Sequence, residues 1–234
     1  MGDETRAADA VVSALEHQIV SGALKDNSPL PAERMLMDQF GTSRTVIREA
    51  ISMLAGRGMV ESRPRFRPIV RKPDYGTVLD ATGNIVSHLL NEAGGIENMY
   101  RSRMFVERGL VRQAAQLATK EDIAALQQAL LDNQSAIADS DRFYNTDVAF
   151  HGVLYRVPKN PIFPALHRGY SSWLAPQWKQ MKRSVDRNQR NFEAHKAIFD
   201  AILLRDPDLA ESALDDHLNA AWNHVRDTFG PNLD

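Results

Sequence analysis

The chain has 234 residues, 43% of them hydrophobic and 25% charged, which is the composition of a globular protein with room for two domains. It has no cysteine, which excludes disulfides, thiolate metal sites and a cysteine nucleophile. The polar start "MGDETRAADA" is not a signal peptide and no apolar run reaches membrane-spanning length, so a cytoplasmic protein without a membrane partner is expected.

From the N-terminus, residues 8–20 predict a helix. Val11, Val12, Leu15, Ile19 and Val20 form its apolar stripe and Gly22 ends it. "ALKDNSPLP" is a loop by its Pro, Asn, Asp and Ser content. "AERMLMDQFG" predicts a short second helix stopped at Gly41. Ser43 then caps a third helix over 44–55, closed by Gly56 and Gly58. "MVESR" and "PIVRK" read as short strands flanking "RPRFRP", residues 63–68, where proline enforces an extended turn. Formal net charge is −2, yet six basic residues fall within 57–72 against one acid, Glu61. An anionic partner is expected at that window.

The third helix has two faces. Ile47, Ala50, Ile51 and Leu54 follow the i, i+3, i+4, i+7 spacing of a buried stripe. Arg44, Arg48 and Ser52 lie opposite, with Thr45 beside them. Arg44 and Thr45 sit in the N-terminal turn, where a positive side chain opposes the helix dipole. That cost points to phosphate or guanine contact. Two short helices, a helix with an arginine face and a basic hairpin follow the winged helix-turn-helix plan. The hairpin would be the wing, with Arg63, Arg65 and Arg67 reaching phosphates or the minor groove. Pairing of Arg44 and Arg48 with a local acid such as Glu49 is the competing reading.

"LPAERMLMDQFGTSRTVIREAISMLAGRGMVESRP" resembles the GntR family of bacterial regulators. The family pattern of Leu-Pro-Ser-Glu-Arg, Ser-Arg-x-x-x-Arg-Glu-Ala and Leu-x-x-x-Gly is met at Leu30, Pro31, Glu33, Arg34, Ser43, Arg44, Arg48, Glu49, Ala50, Leu54 and Gly58. The resemblance implies that Arg34, Arg44 and Arg48 contact double-stranded DNA, with Ser43 and Thr45 in the same turn. Ala32 departs from the usual serine, so the second helix loses a cap. Arg65 and Arg67 stand where the family has glycines, so this wing would read by side chain rather than by close backbone approach.

After a linker over 73–84 the chain reads helical to residue 230. Helices are expected over 78–93, 96–118, 120–138, 141–156, 161–183, 187–205 and 207–228, with Pro176 kinking the fifth. Asn160 and Asp206 each precede a proline placed to start a helix. The expected fold is mainly α: a winged helix-turn-helix over 6–72 and an antiparallel all-helical bundle over 85–230.

Three of these helices put ligand-type residues on apolar stripes. Asp147 and His151 accompany Phe143, Phe150 and Leu154. His195 accompanies Ile198, Phe199 and Ile202, and His217 accompanies Ala210, Leu214, Leu218 and Ala221. Such groups are expensive to bury unpaired, and a divalent metal would satisfy all four together. Imidazole and carboxylate without sulfur suit zinc first, with nickel, manganese or iron as alternatives. Four unrelated hydrogen-bonded core residues remain the alternative. His17, His88 and His167 have no such company, and His224 is a reserve ligand.

"DVAFHGVLY", "EAHKAIFDAILLRD" and "ALDDHLNAAW" are similar to the FCD effector-binding domain of the FadR-type GntR subfamily. The resemblance implies a metal held by Asp147, His151, His195 and His217, with a small carboxylate or sugar acid completing its shell. "RSRMFVE" resembles a pocket-lining Arg-x-x-x-Glu motif. It implies that Arg103 meets the effector carboxylate, while an Arg103–Glu107 pair within the helix stands as the other possibility. The whole predicts a ligand-responsive homodimeric regulator of a pseudo-palindromic operator. A purely structural metal and a metal-dependent enzyme are the rival readings, and no catalytic residue is identified.

Overall fold

The computed structural model describes residues 2–62, 66–72, 74–76 and 83–230, and the chain divides after residue 82 into two compact units.

The first unit holds α1 (Gly2–Val20), α2 (Glu33–Phe40), α3 (Arg44–Gly56), β1 (Val60–Glu61) and β2 (Ile69–Val70). Its first helix begins six residues before the expected start. Val11, Val12, Leu15 and Ile19 of α1, Leu36 of α2 and Ile47, Ala50 and Leu54 of α3 close one apolar core. β1 and β2 pair antiparallel, Val60 opposite Val70 and Glu61 opposite Ile69. The loop before α2 adds a bridge from Pro29 to Ile69, so β2 is held on both edges.

Helix ends follow local chemistry. The Ser43 hydroxyl accepts from the Val46 amide at 3.4 Å. Ala32, at the matching position of α2, makes no side-chain cap. Gly41 ends α2 at φ 62°, a left-handed turn that a residue without Cβ adopts at no cost.

The second unit is all-helical among its described residues. It comprises α4 (Gly83–Leu90), α5 (Gly95–Leu117), α6 (Lys120–Ser135), α7 (Ser140–Leu154), α8 (Ile162–Gln180), α9 (Val185–Leu203) and α10 (Pro207–Phe229). Each expected helix from 96 onward is present, with shifted ends. The start of the helix expected over 78–93 lies outside the described residues.

Thr119 and Asp122 form a reciprocal capping box at the start of α6. Asp206 caps α10 ahead of Pro207. At α8, Asn160 Oδ1 accepts from the Ile162 amide at 3.0 Å, and the helix runs on through Pro176 to Gln180. Helix α9 packs against α10 and α6, and α5 against α10. Phe150, Tyr155, Leu126, Ile198 and Leu214 are among the side chains at the centre of their common core. The mainly α architecture expected from the sequence is thus the one observed.

Candidate metal centre

Helices α7, α9 and α10 bring their ligand-type residues to one point. One ligand atom from each of Asp147, His151, His195 and His217 lies within 4.8 Å of the other three. The three histidines are buried and Asp147 keeps 22% of its side chain exposed. Asp147 and His151 come together because they are four apart on α7. His195 and His217 meet because α9 and α10 are neighbours joined by the three-residue turn 204–206, their ring centroids 4.5 Å apart.

Hydrogen bonds outside the cluster fix how two of the rings present their nitrogens. His151 Nδ1 donates to Glu107 Oε2 at 2.7 Å, which leaves the Nε2 lone pair facing inward. His195 Nδ1 donates to Asn133 Oδ1 at 3.0 Å, and the Asn133 amide is oriented by donating to Thr146 Oγ1 at 3.0 Å. His195 Nε2 is therefore a bare lone pair. It lies 3.3 Å from Asp147 Oδ1 and has no hydrogen-bond partner among the described residues. His151 Nε2 lies 3.2 Å from His217 Nε2, within hydrogen-bond distance when the latter carries the proton. His217 has no comparable clamp, since its buried Nδ1 lacks a partner among the described residues.

Electron-rich atoms facing one another in a dry site repel unless a cation lies between them. A proton fills that role poorly at His195, because burial first and then His217 and His151 push its imidazole well below the ordinary histidine value. Burial likewise lowers His217 to about 3. The Asp147 carboxyl moves the other way, raised by burial and opposed by His151 and Arg103. Three imidazoles and one carboxylate make a donor set that a divalent cation fits.

Glu107 links this cluster to Arg103. Its carboxylate is 0% exposed and accepts from His151 Nδ1, from Arg103 Nε at 2.7 Å and from Tyr155 Oη at 3.1 Å. Burial alone would raise this carboxyl, but Arg103 and His151 overcome it and hold it far below the usual range. Both sequence readings of Arg103 meet here. It is paired with Glu107, and it also lines the cavity beside the cluster, stacked over the Trp178 ring at 5.5 Å. That cavity encloses about 610 Å³, and Asp147, His151 and His217 form part of its wall.

Glu107 was legible only as a partner of Arg103, four residues before it. Asn133 carried no signal at all. His224 lines the cavity but stands outside the four-residue cluster, with its Nε2 against the Arg187 guanidinium. His17 and His88 are exposed, and His167 lies tilted against Tyr155, ring centroids 4.8 Å apart.

In the first unit, Arg34, Ser43, Arg44, Thr45 and Arg48 are all exposed. Arg44 and Arg48 converge on Glu33 of α2, at 3.5 Å and 3.1 Å, rather than on Glu49. Arg67 is exposed but turned back, its Nε donating to the Leu30 carbonyl at 3.2 Å. It therefore braces the base of the hairpin. Arg63 and Arg65 lie outside the described residues.

A helix-turn-helix unit joined to a helical unit with a ligand-sized cavity defines a transcription regulator that carries its own sensor. Residues 7–67 match the family model described as bacterial regulatory proteins, gntR family, and residues 98–220 match the FCD domain model. The chain belongs to this family: it is a GntR-type transcription regulator with an FCD domain, not an enzyme.

It is 36% identical to the HTH-type transcriptional repressor NanR of Klebsiella aerogenes, over 93% of this chain and 85% of that protein. The NanR of Cronobacter sakazakii is 35% identical, over 93% and 84%. Among solved structures, Streptococcus agalactiae GntR shares the fold with a TM-score of 0.67 at 20% identity, covering 92% of this chain and 99% of that one. E. coli McbR/YncC aligns with a TM-score of 0.54 at 19% identity, covering 95% and 98%. No helix among the described residues is long and apolar enough to cross a membrane.

Proposed function

We propose that this chain is a cytoplasmic transcription repressor whose operator binding is controlled by a carboxylate or sugar-acid effector at a metal in the helical unit. It acts as a homodimer on a pseudo-palindromic site, because a two-fold protein reads a two-fold sequence. Arg34, Arg44, Thr45 and Arg48 lie along the major groove, with Ser43 holding the start of α3. Arg63, Arg65 and Arg67 add contacts to phosphates or the minor groove. Asp147, His151, His195 and His217 hold the ion, zinc before nickel, manganese or iron. When bound, that ion supplies a Lewis-acid point for effector oxygens.

The observation that carries the reading is the His195 Nε2 lone pair, bare and buried, 3.3 Å from the Asp147 carboxylate in the wall of the cavity. A purely structural ion would sit closed off on every side, whereas this cluster borders the cavity through Asp147, His151 and His217. The name of the relatives, transcriptional repressor, favours repression relieved by effector.

Thermal melting of metal-assayed protein with a panel of hydroxy acids, hexonates, hexuronates and sialic acids tests this. A stabilising acid whose effect disappears with chelator, and which lowers operator affinity in a binding titration, is the expected result. Effector and operator must then weaken each other by the same factor. Protein that takes up no divalent metal, or that binds acids equally well with chelator, contradicts the reading.

A further inference from the structure

Arg187 differs from three other part-buried or buried arginines of the second unit, each of which has a carboxylate partner. Arg103 has Glu107, Arg108 has Asp215 at 2.6 Å, and Arg112 has Asp208 at 2.6 Å and Glu211 at 2.7 Å. Arg187 is half-buried in the cavity wall, yet no carboxylate among the described residues lies within ion-pair distance of it. Its guanidinium meets His224 Nε2, which carries no negative charge. Arg183 and Arg190 flank it in the same wall. Burial and these two neighbours lower Arg187 from the ordinary guanidinium value, and Asp147 opposes them. Arg183 is answered by Asp141 at 2.8 Å. Asp216 and Asp227 also line the cavity, and neither pairs with Arg187. Arg187 further occupies the first turn of α9, where the helix dipole disfavours a cation.

Its position gives a length. Helices α9 and α10 meet at two levels, His195 against His217 and Arg187 against His224. Eight residues of α9 and seven of α10 separate these levels, about 10–12 Å at the rise of an α-helix. Between them the cavity wall includes Asn191 and Ala194 from one helix and Ala220 and Ala221 from the other, so the one cavity reaches from His217 to His224.

We infer that Arg187 and His224 form a second effector-binding point, and that the effector is a long acid with a metal-binding carboxylate at one end and a second oxyanion at the other. The inference rests on the metal-site reading and adds the far end of the ligand to it. A carboxylate or phosphate there accepts from the guanidinium fork and supplies the counter-charge that the protein withholds. Acids of three or four carbons do not span the two levels.

Calorimetry on the full-length, metal-loaded protein tests this with gluconate and its terminal phosphate ester, which share one carbon chain. The phosphate ester is expected to bind at least about tenfold tighter, the scale of one charge-assisted hydrogen-bonded contact. Arg187→Met should bring the ratio to about one and leave gluconate unaffected, and Arg187→Lys should retain part of the difference. Equal affinities in the wild type, equal weakening of both acids by R187M, or failure of both to bind would each overturn the inference. Zinc affinity, measured separately by chelator competition, should be the same in R187M and wild type. A wild type that binds no zinc removes the metal reading and this proposal together. Zinc binding with no preference for the phosphate ester removes this proposal alone.

Discussion

Glu107→Gln keeps the size of a buried side chain and removes the charge that serves three donors. The carboxylate is 0% exposed and accepts from His151 Nδ1 at 2.7 Å, Arg103 Nε at 2.7 Å and Tyr155 Oη at 3.1 Å. Glutamine leaves Arg103 as a buried cation without its counter-charge, which costs about 3–5 kcal/mol of folding stability. Its NH2 group also turns a donor toward donors, so His151 loses the contact that holds its Nδ1 protonated and its Nε2 bare. Outer partners of this kind govern metal affinity by about 10–100-fold.

Urea unfolding measures the first effect, and zinc competition against a chelator on the folded fraction measures the second. Tyr155→Phe is the control. It removes one neutral donor, costs about 1 kcal/mol and leaves the His151–Glu107 contact intact, so zinc affinity should not change. Unaltered zinc affinity in E107Q, or an equal loss in Y155F, would refute the argument that Glu107 acts through the His151 tautomer.

Arg48→Ala removes a side chain that is 70% exposed and paired only at the surface with Glu33. Folding stability should change by less than about 1 kcal/mol, while operator affinity measured by fluorescence anisotropy should fall by about 1–3 kcal/mol. Unchanged affinity would remove α3 as the reading helix. Ala32→Ser places a hydroxyl where the backbone already has the extended geometry of an N-cap, φ −60° and ψ 145°. It should stabilise the first unit by about 0.5–1 kcal/mol in urea unfolding, and no gain would mean that the α2 amides are otherwise satisfied.

The Asp122 carboxyl, which burial alone would raise, is held below its ordinary value by Lys159 at 2.6 Å and by the Thr119 cap. A carboxyl lowered on folding contributes stability above its unfolded value, about 3.9, and loses it as pH falls through the folded value. Asp122→Asn should therefore cost about 1 kcal/mol at pH 7, with the gap to wild type closing in urea titrations below about pH 4. A gap independent of pH would mean that packing, not charge, holds this cap.

Much of the helical framework was legible because its causes are local. Ser43 and Asp206 cap the helices that follow them, and the stripe of Ile47, Ala50, Ile51 and Leu54 is the buried face of α3. The four clustered residues were legible for a similar reason, since polar ligand types on apolar stripes have few solutions other than each other. Arg67, read as a wing contact, also donates to the Leu30 carbonyl, a contact with the loop before α2 that no spacing announces. Glu33, the partner of Arg44 and Arg48, comes from another helix and no spacing announces it.

By itself the sequence determined where most helices start and stop, which faces they bury, and that Asp147, His151, His195 and His217 belong to inward faces. These follow from backbone hydrogen bonding and apolar periodicity, which act within a few residues. Only the tertiary structure decided that Glu107 and Asn133 turn two imidazole lone pairs inward, that Arg103 serves both Glu107 and the cavity, and that Arg187 stands two helical turns from His195 without a counter-charge. Each is a contact between helices distant in sequence, set by how their side chains pack.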